Sequence, residues 1–297
     1  MTPDDLGVRH SFAEVNGIRM HYVEKGEGPL VVMLHGFPEM WWSWRHQIPA
    51  LVDAGFRVVA PDLRGYGDTD AKEPYDVDTL RDDVLALLDH LRAPKAIIVS
   101  HDWGGVLAWH LAGTRQERCE KLVVMNGPHP ALFARALSGV GGHVKWRQVR
   151  RSWYVFFFQL PILPERVLTA NGAAAIARVI RGAAVDKTNF DREELAPFVD
   201  AILKPGRATG MVNWYRAAFR KGLRQRRRGQ DGVITIPTLL IWAMQDDALG
   251  YDDVVSGIER YVPGIEIFQI AGCGHFVQQE RPDAVNSKLV EFLKRPS

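Results

Sequence analysis

Cysteine is almost missing from this chain: 297 residues contain two, Cys119 and Cys273, far apart. That spacing offers no disulfide framework and predicts a reducing compartment. No apolar run approaches the ~20 residues that cross a bilayer. The start, Met1-Thr2-Pro3-Asp4-Asp5, lacks the basic-then-apolar pattern of a secretion signal. A soluble, cytoplasmic protein without membrane attachment is therefore expected. Excess charge of one sign is missing too. With 37 Lys and Arg against 35 Asp and Glu the formal charge is +2, which gives no electrostatic argument for a nucleic-acid partner. There is no zinc-ligand spacing and no phosphate loop, so neither metal nor organic cofactor is expected.

What the chain does have is length and an ordinary hydrophobic fraction, 46%, enough for a substantial core. It fits one large α/β domain with an insertion, or two small domains. The first third alternates short apolar runs with turns. Phe12 to Val15 and Ile18 to Val23 flank Asn16-Gly17, a strong hairpin signal. Further strands are predicted at Leu30 to Leu34, Arg57 to Ala60, Ala96 to Val99 and Lys121 to Met125. A helix is predicted from Val77 through Leu91, with apolar residues at 80, 84, 87, 88 and 91. After Asn126-Gly127-Pro128 the rhythm changes, and residues 130–230 read as helices rich in Trp and Phe. Strands return at Ile236 to Trp242 and Ile265 to Ile270, followed by a helix over Asp283 to Leu293. The pattern predicts a mostly parallel sheet with helices on both faces, core parts at 1–129 and 231–297, and a helical cap between them. The basic cluster from Arg220 to Arg228 reads as a solvated helix end and loop.

The heptad Val99-Ser100-His101-Asp102-Trp103-Gly104-Gly105 carries the most chemistry. It has the small-x-nucleophile-x-small-small form of a sharp strand-to-helix turn, preceded by a strand and followed by a helix. Its central residue is Asp where an esterase carries Ser. A carboxylate is suited to displacing a leaving group from saturated carbon, leaving an alkyl ester on the enzyme. An Asp that merely caps the following helix is the bland alternative. The other motifs outweigh it.

Two further residues complete a nucleophile–base–acid order along the chain. Asp246 follows the strand ending at Trp242, and His275 follows the strand ending at Ile270 with glycines on its N-terminal side. Both stand at strand carboxyl ends, where sites in open α/β sheets form. Asp247 is the alternative acid. The backbone N–H groups of Phe37, in His35-Gly36-Phe37-Pro38, and of Trp103 are candidates for an oxyanion hole.

Together these residues resemble the soluble epoxide hydrolases of the α/β-hydrolase superfamily, over nearly the whole chain. His35-Gly36-Phe37-Pro38-Glu39 is similar to that family's oxyanion-loop region, and Asp62-Leu63-Arg64-Gly65-Tyr66-Gly67-Asp68-Thr69-Asp70 to its loop after the fourth strand. The family holds and protonates the epoxide oxygen with two cap tyrosines, and Tyr154 and Tyr215 match them. Trp42, where Tyr is common, and Ala243, where Gly is usual, depart from the pattern. The resemblance implies an α/β-hydrolase fold and hydrolysis of an apolar epoxide to a vicinal diol. Asp102, His275, Asp246, Tyr154 and Tyr215 would be catalytic, and Phe37, Trp103 and the two tyrosines would contact substrate. Trp153, Phe156 to Phe158, Trp214 and Phe219 are expected to line the pocket. A haloalkane dehalogenase would share the Asp102, His275 and Asp246 set but usually carries Asn in place of Phe37 and lacks the paired tyrosines. The sequence leaves a homodimer open.

Overall fold

Asn16 and Gly17 both adopt positive φ (46° and 77°), the backbone a two-residue hairpin turn requires. They join β1 (Arg9–Val15) to β2 (Ile18–Lys25), the first two strands of an eight-stranded sheet. The computed structural model describes residues 3–139, 143–224 and 232–296. The remaining strands are β3 (Leu30–Leu34), β4 (Arg57–Pro61), β5 (Ala96–His101), β6 (Cys119–Met125), β7 (Thr238–Ala243) and β8 (Glu266–Ile270). Their spatial order is β1-β2-β4-β3-β5-β6-β7-β8, with β2 antiparallel to both its neighbours, β1 and β4, and every other pair parallel.

β5 and β7 are buried at every position. Such strands read as continuous apolar runs because both faces are covered by helices. Helix Val77–His90 packs on helix Trp103–Thr114, and helix Gln47–Asp53 on helix Pro282–Lys294. The first of these begins where Asp76 accepts the Thr79 N–H, and it buries Leu80, Val84, Leu87 and Leu88. β7 starts at Thr238 rather than at the expected Ile236. Pro237 has no N–H to give a ladder.

Between β6 and β7 the described residues contain no strand. Helices Pro130–Ser138, Trp146–Arg151, Trp153–Phe157, Leu163–Gly182, Arg192–Leu203 and Arg207–Arg224 fill that stretch. The last reaches into the Arg-rich cluster, of which 225–231 lie outside the described residues, as does the expected boundary at 230/231. Helix Leu163–Gly182 is interrupted at Ala170–Ala173, where the backbone leaves helical geometry. It packs on the two helices that follow it, burying Ile176, Ile180, Phe190, Phe198 and Met211. The carboxyl ends of parallel β3, β5, β6, β7 and β8 open on one edge of the sheet, and every strand-end residue singled out above stands there.

Candidate active site

Asp102 lies between β5 and helix Trp103–Thr114 with φ 50° and ψ −117°. A non-glycine residue held there costs on the order of 1–3 kcal/mol, so its surroundings must over-determine it. They do. Its N–H donates to Met125 O (3.2 Å), and Val106 N–H donates to its carbonyl (3.0 Å). A Cβ on Gly104 would fall 2.1 Å from Leu34 O, and one on Gly36 would fall 2.4 Å from Asp102 Cβ. Gly105 faces Gly127 across a gap in which a Cβ would meet backbone at 3.0 Å. The turn closes because these positions lack side chains. It sets the carboxylate at a helix N-terminus, where an anion gains about 0.3–1 kcal/mol.

The two carboxylate oxygens of Asp102 have different neighbours. Oδ1 accepts the Phe37 N–H at 2.8 Å, and Oδ2 faces His275 Nε2 at 3.6 Å. The other ring nitrogen, Nδ1, bonds Asp246 Oδ2 at 2.7 Å. Asp247, the alternative acid, is exposed. Asp246 is buried and fully engaged: Asn126 Nδ2 donates to Oδ2 (2.7 Å), and the N–H groups of Ala248 and Leu249 donate to Oδ1 (2.8 and 2.9 Å). Burial alone would raise its pKa, but His275 and these donors outweigh it and hold the carboxyl below its ordinary range. For His275, burial works against the charged form, while the charge of Asp246 and the contact with Asp102 prevail and raise its pKa well above the usual value.

Tyr154 and Tyr215 come from different helices and meet over this group. Their ring centroids are 5.9 Å apart, and Tyr215 stands edge-on to Trp103 (4.9 Å), Phe37 (5.4 Å) and Phe158 (4.8 Å). Helix Arg207–Arg224 is seated by Trp214 Nε1, which donates to Arg64 O (2.9 Å), and by backbone contact between Gly210 and Gly65. Next to Tyr215, Arg216 grips the turn after the Tyr154 helix, donating to Phe158 O (3.0 Å) and Leu160 O (2.6 Å) and pairing with Glu165. Burial, then the nearby Asp102 charge, raises the pKa of both tyrosines, which therefore remain protonated donors. Two of the expected lining residues do not face inward. Trp153 and Phe156 are exposed (64% and 47%), because one face of the short helix Trp153–Phe157 carries Tyr154 toward the site and the other faces solvent. Trp214 is spent on the Arg64 anchor.

Several residues here escaped the sequence reading. Asn126, with φ 39°, also accepts the Ala243 N–H (2.9 Å), so it fixes both Asp246 and the strand end before it. The one signal it leaves in the sequence is an Asn directly after a buried strand, in the Asn126-Gly127-Pro128 stretch where the strand rhythm changes. Glu39 bonds His101 Nδ1 (2.8 Å), while His101 Nε2 reaches His275 O (3.0 Å). Burial would raise Glu39, but the His101 charge and the surrounding donors bring it down to about 2. Such a network joins residues far apart in sequence and leaves no local pattern. His21, Asp62 and Asp68 bring ligand-type atoms within 4.8 Å of one another. Asp62 already accepts from His21, Trp41 N–H and Asp68 N–H, so its carboxylate is spent on holding these segments together.

Comparison with known proteins agrees with this fold. The alpha/beta hydrolase fold family matches residues 29–282. AB hydrolase superfamily protein YfhM of Bacillus subtilis is 39% identical over 97% of this chain and 99% of its own. Epoxide hydrolase 4 of Mus musculus is 36% identical, over 94% of this chain and 77% of its own. Among solved structures, the Bacillus megaterium epoxide hydrolase in complex with an inhibitor superposes with a TM-score of 0.86 at 30% identity, covering 96% of this chain and all of that one.

Proposed function

Since this chain belongs to the epoxide hydrolases of the α/β-hydrolase superfamily, we propose that it opens an apolar epoxide to a vicinal diol through an ester on Asp102. One observation carries this reading: the Asp102 carboxylate has one oxygen held by Phe37 N–H and the other facing His275, and its charge acts on two protonated tyrosines, Tyr215 packed on Phe37 and Trp103 and Tyr154 packed on Tyr215.

The division of the oxygens assigns their work. Oδ2 attacks an epoxide carbon as the C–O bond breaks. Tyr154 and Tyr215 donate to the departing oxygen, which becomes a hydroxyl. Oδ1 stays against Phe37 N–H and becomes the ester carbonyl oxygen. In the second step His275, oriented by Asp246, takes a proton from water, and the hydroxide attacks Asp102 Cγ. The oxyanion forms on Oδ1, supported by the N–H groups of Phe37 and Trp103. Collapse breaks the Cγ–Oδ2 bond, His275 gives its proton to the leaving Oδ2 as the diol departs, and the proton left on the new Asp102 carboxyl returns to the tyrosinate, restoring the starting state.

The Asp102 charge couples the two steps. While present it raises the pKa of His275 and of both tyrosines. Esterification removes that charge. The tyrosines become stronger acids as the alkoxide forms, and His275 gives up its proton more readily when a base is required.

In this reading the helices between 130 and 230 act as a cap over the two core parts. The two buried free cysteines suit a reducing compartment such as the cytoplasm. The test is His275→Gln mixed with a styrene-type epoxide. Its intact mass should rise by the mass of the substrate, with turnover falling about 10²–10⁴-fold. Diol formation should vanish in Asp102→Ala. Absence of an adduct overturns the ester mechanism, and bromide release from a bromoalkane without diol from any epoxide makes the protein a dehalogenase.

A further inference from the structure

Residues 183–189 join helix Leu163–Gly182 to helix Arg192–Leu203 and lie against the loop that carries His275. His275 N–H donates to Ala183 O (3.1 Å). The approach is so close that a Cβ on Gly274 would fall 1.9 Å from the same oxygen. Glu280, buried in the short helix Val277–Glu280, spans this seam. Its Oε1 accepts the N–H groups of Val185 (3.2 Å) and Asp186 (2.9 Å), and its Oε2 accepts the N–H of Gly274 (2.8 Å). Arg281 ties the same two segments again, pairing with Asp186 (2.6 Å) and donating to Gly272 O (2.9 Å).

We propose that Glu280 is a positioning residue for the hydrolytic half of the reaction, locking the His275 loop to the 183–186 segment so that the imidazole is aimed when that segment is seated. The inference rests on the ester mechanism proposed above. A carboxylate can serve both sides of the seam because both of its oxygens accept. Gln is the same size but offers one acceptor, and its NH2 would face an N–H, so Glu280→Gln must release one side. Asp102 and the tyrosines make no use of this seam. His275 is the catalytic residue whose own N–H bonds across it, and His275 acts only in the second step.

The experiment is rapid mixing of Glu280→Gln with the epoxide, quenching, and intact-mass measurement of the adduct over time. The adduct should form within about twofold of the wild-type rate, because the alkylating groups are untouched. Its decay should slow by about tenfold or more, since a 1 Å misplacement of a catalytic group costs on the order of 10²-fold. Equal slowing of both steps, or unchanged decay, overturns the proposal. If Glu280→Gln does not fold, Asp186→Ala loosens the seam from its outer side and should slow decay alone by about two- to threefold; unchanged decay there is equally fatal. His275→Gln run in parallel separates the two ideas. No adduct in that control removes the ester mechanism, whereas a trapped ester with wild-type decay in the seam variants removes only the role of Glu280.

Discussion

The strand ends and the helices above them hold functional atoms by different means. At the strand ends the backbone does the holding. Asp102 is fixed by its own strained φ, by neighbours that tolerate no side chain, and by hydrogen bonds to main chain. Asp246 has both oxygens occupied, one by two backbone N–H groups and the other by His275 and Asn126. In the helices side chains do it. Tyr154 and Tyr215 are located by rings at 4.8–6.1 Å and by the grip of Arg216 across two helices. The difference suits the chemistry. A nucleophile and its base must meet within tenths of an ångström, whereas a pair of hydroxyl donors must admit a substrate between themselves and the carboxylate.

Removing the tyrosine hydroxyls tests that division most severely. Tyr154→Phe with Tyr215→Phe keeps the ring packing and removes both donors. Alkylation should fall about 10²–10⁴-fold, with each single change costing less because the other hydroxyl remains. Measured by adduct formation in the His275→Gln background, the loss should appear in the first step alone. An unimpaired double variant would leave the cap with packing as its only contribution.

The same division explains what the sequence made legible. Backbone-held positions follow short-range rules, so the turn around Asp102, the strand-end placement of Asp246 and His275, and all eight strands could be read from a few residues each. Buried apolar runs and Gly clusters are local signals. Asn126, Glu39 and Glu280 could not be read this way, since each joins loops distant in sequence through hydrogen bonds. The tyrosines stood out only by resemblance, and aromatic composition alone misassigned Trp153 and Phe156. On a five-residue helix in an aromatic-rich stretch, periodicity cannot say which ring turns inward.

A subtler test asks whether the strand-end charges act as one group. In the free enzyme the charges of Asp246 and Asp102 raise the His275 pKa, so the imidazole loses its proton only well above its ordinary value. In the ester the Asp102 contribution is gone. Ester decay needs neutral His275, so it should speed up as pH rises through a pKa lower than that of the free enzyme. Imidazole titration by NMR gives the free value, and single-turnover decay across pH gives the other. Coincident values would mean that Asp102 does not tune its partner.

The smallest effect concerns glycine. Gly104, in helical backbone at the strand end, cannot accept a Cβ because Leu34 O would stand 2.1 Å away. Gly182, at the last turn of helix Leu163–Gly182, has nothing within 4 Å of an added Cβ and no positive φ. Its glycine therefore only enlarges the conformational freedom of the unfolded chain. Gly182→Ala should stabilise the protein by about 0.4–1 kcal/mol, read as a higher urea midpoint at unchanged slope. A lower midpoint would show that this helix end, one residue before the carbonyl that receives His275 N–H, is as tightly built as the strand ends. The contrast between the two regions would then fail at the seam where they meet.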